Sequence, residues 1–157
     1  MIQASPEVAH TSRGPGNAGD IPLEQVAALA APEGVEESTL SGYPRLLGAD
    51  LKHHFGYTVS AYGGSNGYFD AEDDDGSRWE WEPDTYINVV FSMSKQDPSD
   101  RAIPDMVAAV GRVLAGRAED AALILNGNWL LLTRTTGTLC THQPEWWDTY
   151  GTRNLLP

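Results

Sequence analysis

Asn126–Gly127 stands between two apolar runs, Ala121–Leu125 and Trp129–Leu132, and no other feature constrains the fold of this chain as strongly. Both residues tolerate positive φ, and a two-residue turn built from them matches the right-handed twist of the strands it joins. Gly127–Asn128 serves the same geometry, so the register stays open by one residue, and a slip of one exchanges the two faces of the strand. Both runs are apolar at successive positions, the pattern of strands covered on both faces. A second turn follows at Thr135–Thr136–Gly137, with Gly137 in the left-handed position of a three-residue loop. Asp120–Thr141 therefore predicts a three-strand meander that ends near Cys140 and His142.

Around this scaffold the chain predicts a helix, several strands, a second helix and the meander. Residues 1–19 carry Pro6, Gly14, Pro15, Gly16 and Gly19 and predict a flexible arm with a short strand at Glu7–Thr11. Asp20 suits an N-cap and Pro22 a first helical turn; Leu23, Val26, Ala27 and Ala30 follow at helical spacing until Pro32 and Gly34 stop the run. Residues 34–54 predict loops, among them 41–44, with one short strand at Ser38–Leu40. Tyr57–Tyr62 predicts a strand closed by the turn Gly63–Gly67. Along Arg78–Glu82, Trp79 and Trp81 alternate with Arg78, Glu80 and Glu82. Ile87, Val89, Phe91 and Met93 share one face of a strand at Tyr86–Met93. After a polar loop at Gln96–Asp100, Ile103, Met106, Val107, Val110, Val113 and Leu114 form the stripe of a helix over Ile103–Ala115, with Gly116 as its C′ residue. The tail PEWWDTYGTRNLLP predicts an irregular aromatic segment packed on the body. The sum is an α+β fold, a mainly antiparallel sheet with two helices on one face, in a single domain over 20–157.

A chain of 157 residues buries about 70% of its unfolded surface as one domain. No apolar run approaches the roughly 20 residues of a membrane helix. The first residues lack the apolar centre of a secretory signal, and Cys140 alone excludes an internal disulfide; both favour the cytoplasm. The net charge of −12 argues against nucleic acid, which is engaged by surplus Lys and Arg. That charge is concentrated: Asp70, Glu72, Asp73, Asp74, Asp75, Glu80, Glu82 and Asp84 stand against Arg78 alone, a net −7 within residues 68–84. Such a run is either a solvated loop guarding an edge strand or a contact surface for a basic partner, with Trp79 and Trp81 as anchors. Asp73, Asp75, Gly76 and Glu82 fall at calcium-loop positions three, five, six and twelve, but position one is Ala71. His53, His54, Cys140 and His142 lack zinc spacing, and no oxyanion loop accompanies a Cys140 nucleophile. No catalytic, cofactor or metal residues are assigned. A small hydrolase using carboxylates of 70–84, or a calcium- or ligand-binding module there, stays open beside the binding role.

The helix and meander resemble the immunity proteins of the Sit (swarming-inhibition toxin) type, from bacterial polymorphic-toxin systems. The resemblance is carried by the amphipathic helix, its Gly/Ala exit, Asp120–Ala121, the strands around Asn126–Gly127, Arg134, Gly137, Leu139 and the pair Trp146–Trp147. It spans Tyr86–Trp147, with an echo at the first helix in Asp20-x-Pro-Leu-Glu-x-Val-Ala. It implies a cytoplasmic antitoxin that binds and occludes a cognate protein toxin without catalysis. It carries over no catalytic residue and places no contact face. The acidic surface suits a toxin with a basic surface, since opposite charge speeds encounter.

Overall fold

Ile87, Val89 and Phe91 leave one face of strand β7 (Thr85–Met93) and are buried against the helices, as their alternation predicts. The computed structural model describes residues 7–12, 23–38, 45–93 and 99–157. In chain order the other elements are β1 (Glu7–Ser12), α1 (Leu23–Ala30), β2 (Glu36–Ser38), β3 (Leu46–Leu51), α2 (Lys52–Phe55), β4 (Tyr57–Ser65), β5 (Phe69–Glu72) and β6 (Arg78–Trp81). After β7 come α3 (Ser99–Gly116), β8 (Asp120–Leu125), β9 (Trp129–Thr135), β10 (Thr138–Thr141), α4 (Pro144–Tyr150) and a 3-10 turn (Arg153–Leu155). Asp20, Pro22, the loop expected at 41–44 and residues 96–98 of the loop expected at Gln96–Asp100 lie outside the described residues; the last two residues of that loop, 99 and 100, are instead the start of α3.

The fold is α+β. The strands run β2-β3-β4-β7-β1-β8-β9-β5-β6, with β10 also on β9. All pairs are antiparallel except the one bridge joining β5 to β9, Glu72 to Trp129. The strand expected at Glu7–Thr11 reaches Ser12 and is paired on both sides, to β7 and β8, so this part of the expected arm is interior sheet. Helices α1 and α3 pack on each other and on one sheet face. All six apolar residues of the α3 stripe are buried there, with Val26, Ala27 and Ala30 of α1. Arginines close both helices: Arg112 donates to the carbonyls of Leu29 and Ala30, and Arg134 to those of Leu114, Arg117 and Glu119.

In the meander, Asn126 (φ 55) and Gly127 (φ 67) are the central turn residues, and the Asn128 N–H closes on Leu125 O at 3.1 Å. The register left open is thereby decided for Asn126–Gly127. Strand β8 is covered on both faces: Ala121, Leu123 and Leu125 join the helix-side core, while Ala122 and Ile124 join a second cluster with Ala71 and Leu130. A bulge in β9 sends both Leu131 and Leu132 to the helix side.

Several local expectations are corrected. The second turn is a two-residue one, Thr136 (φ 51) and Gly137 (φ 83), between paired Thr135 and Thr138. The Asp120 carboxylate accepts the Thr136 N–H at 2.6 Å and steadies that β-branched residue at positive φ. Gly63 and Gly64 do not end β4; the strand continues to Ser65 because the Tyr86 ring lies where a side chain on Gly64 would stand. Gly116 is the last residue of α3, and a Cβ there would meet Leu29 of α1, so close helix approach is its role. Residues 34–54 hold β2, β3 and α2 where loops are expected. The tail is α4 and a 3-10 turn, anchored by Trp147, whose indole N–H donates to the carbonyls of Leu131 and His142.

Candidate partner interface

Strands β4 and β7 form a long antiparallel ladder that continues past its end, with Asn66 N–H to Asp84 O at 2.8 Å and Gly67 N–H to Pro83 O at 2.9 Å. Beyond this point the ladder becomes the β5–β6 hairpin, which meets β9, separated from β7 by two strands of the sheet. The hairpin therefore folds across β1 and β8 and lays its apolar face, Phe69, Ala71, Trp79 and Trp81, on Ala122, Ile124 and Leu130. Trp79 and Trp81 share a face, as their alternation predicts, with ring centroids 6.1 Å apart. That face is turned to the sheet.

The other face carries Asp70, Glu72, Arg78 and Glu80, all exposed. Arg78 is its hub: the guanidinium pairs with Asp70 at 3.0 Å and Glu80 at 3.1 Å, and donates to the Tyr68 hydroxyl at 2.8 Å. Tyr68 in turn donates to Glu80 at 2.7 Å. The carboxylate of Glu72 has no such partner among the described residues. An open groove runs between Asp70, Glu72, Arg78 and Asn128. Tyr68 and Trp129 are 50% and 48% exposed, the two most exposed large apolar side chains among the described residues. Glu82 and Asp84 are exposed at the base of the hairpin.

At the tip, the acids divide by task. Asp75 accepts the Ser77 N–H at 2.8 Å, and Ser77's side chain and backbone hold its carboxyl below the ordinary range. Asp73 Oδ1 lies 2.6 Å from His142 Nδ1, and His142 Nε2 lies 3.0 Å from the Thr133 hydroxyl. Asp74 accepts the backbone N–H of Gln143, the left-handed residue (φ 54) that opens α4. The backbone of Glu72 donates to Asn128 O at 2.6 Å. Asp73 and Asp74 thus tie the hairpin to the end of the meander.

Among the described residues, Asp73, Asp74 and His142 are the one trio of potential metal ligands, with their donor atoms within 4.8 Å of one another. The calcium-loop alignment is not realised, because Glu82 follows the end of β6, away from the tip that holds Asp73 and Asp75. His53 and His54 are exposed on α2 and Cys140 is exposed on β10. The sequence reading missed Trp129 and His142 as parts of this region, and did not single out Tyr68 at its start.

Fold and face together define an acidic α+β domain whose one sheet carries a folded-over hairpin with a charged outer surface. The model of the SitI3-like family matches residues 17–151, and the chain belongs to that family. The match extends the resemblance seen over 86–147 to the first helix. Membership makes the chain an immunity protein of a Sit toxin system and implies a cognate toxin as its partner. No curated protein and no solved structure gives a significant match.

Proposed function

We propose that this chain neutralises its cognate toxin in the cytoplasm of the producing cell, by binding and occluding it without turnover. Family membership over 17–151 carries the reading. The net charge of −12 supports a toxin with a basic surface, since opposite potentials raise the encounter rate and suppress wrong partners. The contact falls on 70–84, where the structure leaves Asp70, Glu72, Glu80, Glu82 and Asp84 at the surface.

Titration of the toxin's activity with purified protein tests this. Occlusion gives a linear loss that completes at a fixed stoichiometry, and a complex that survives gel filtration. Cys140→Ala should inhibit as the parent does. Full protection at far below equimolar protein would show turnover, and loss of protection in a folded Cys140→Ala variant would point to thiol chemistry; either result overturns the reading.

A further inference from the structure

We propose that the toxin seats on the outer face of the β5–β6 hairpin and the adjoining start of β9. Trp129 is the apolar anchor, and a lysine or arginine of the toxin lies between Asp70 and Glu72. This rests on the reading of the chain as a binding inhibitor and goes further by choosing among its acids and aromatics.

The choice follows from what each side chain already holds. Trp79 and Trp81 are spent on Ala122, Ile124 and Leu130, and Asp73 and Asp74 on His142 and Gln143. Of the groups that remain exposed, those on the outer face of the hairpin form one row: Tyr68 beside Glu80 and Arg78, then Asp70, then Glu72, whose bridge partner in β9 is Trp129. Bridge partners leave a sheet on the same side, so Glu72 and Trp129 face one occupant. Half-exposed aromatics at both ends of a charged row give the anchor-and-rim arrangement of protein interfaces.

The row is also stiff. Its backbone is held by the β5–β6 ladder, the Glu72–Asn128 hydrogen bond and the Asn126–Gly127 turn, so little freedom is lost on binding. Charge selects the occupant. Asp70, Glu72 and Glu80 outnumber Arg78, and Glu72 is unpaired among the described residues. A second copy of a chain of charge −12 is repelled, as is a phosphate backbone, whereas a basic protein surface is attracted.

The test is binding kinetics of the full chain with the purified cognate toxin, at low and physiological salt. Trp129→Ser should raise the dissociation rate tenfold or more. Asp70→Asn with Glu72→Gln should lower the association rate several-fold at low salt, with the difference shrinking as salt screens it. Glu33→Gln with Glu36→Gln removes the same charge near β2, at the far end of the strand order from β6, and should slow association less. Hydroxyl-radical footprinting of the unmodified complex needs no variant: Trp129 and Tyr68 should be protected by the toxin. If Trp129 labels equally free and bound, or the Trp129 and Asp70/Glu72 variants both bind as the control does, the surface lies elsewhere while inhibition stands. If the unmodified chain does not bind the toxin, the inhibitor reading itself fails and this surface with it.

Discussion

Glu119 shows how one side chain near a helix end sets a pH response. Burial pushes its carboxyl up, but Arg117, at 2.5 Å, and the N–H groups of Glu119 and Ala118 pull it down, and the net effect leaves it below the ordinary 4.5. In the unfolded chain it returns to the ordinary value, so its contribution is complete above about pH 4.5 and is lost as pH falls through the lower folded value. Urea midpoints measured from pH 6 down to pH 3 should therefore fall, and Glu119→Gln should make the fall shallower; parallel curves would remove Glu119 from the account. Other residues show what sequence can and cannot display. Asn126–Gly127 was legible because its demand, positive φ, is local. Arg134 and Asp120 were legible only as features of a resemblance, since their partners, helix carbonyls and the Thr136 N–H, come from other elements. Asp73 and Asp74 looked like solvated acids because His142 and Gln143 each lie 69 positions away.

Two glycines of α3 separate backbone from side-chain crowding. A Cβ on Gly111 would run into the carbonyl oxygen of Leu155, part of the 3-10 turn, whereas one on Gly116 would meet the end of the Leu29 side chain. Alanine gains about 1 kcal/mol of helix propensity at the interior Gly111 and less at Gly116, the last helical residue. At Gly116 that gain offsets a rotamer change in Leu29, and the melting temperature should hold or rise slightly. At Gly111 the turn must move, at a cost of about 1–3 kcal/mol, and the melting temperature should fall by several degrees. Equal effects at the two sites would refute this packing. Strand β7 and helix α3 were legible for the same reason that they fold where they do, one continuous apolar face, and the meander by its unbroken apolar runs around Asn126–Gly127. In β3, Gly48, Ala49 and Asp50 dilute the pattern, and only Leu47 and Leu51 are buried. In α4 a single buried residue, Trp147, leaves no stripe to see, and its helix depends on the Gln143 start and the Trp147 anchor.

For the molecule as a whole, 22 acids against 10 bases make compaction work against like charge. The repulsion is screened over about 10 Å at 0.1 M salt. Raising sodium chloride from 10 to about 150 mM should raise the melting temperature, and an unchanged temperature would mean that the acids are already offset pairwise. A different consequence follows from the place of β1. Strands β7 and β8 are each antiparallel to β1, so they are parallel to each other, and α3 is the crossover between them. The slot that the crossover leaves open is filled by residues 7–12. During synthesis this strand precedes its second partner, 120–124, by more than a hundred residues. The strand is thus made long before its seat exists, and the central sheet stays split until β8 has followed.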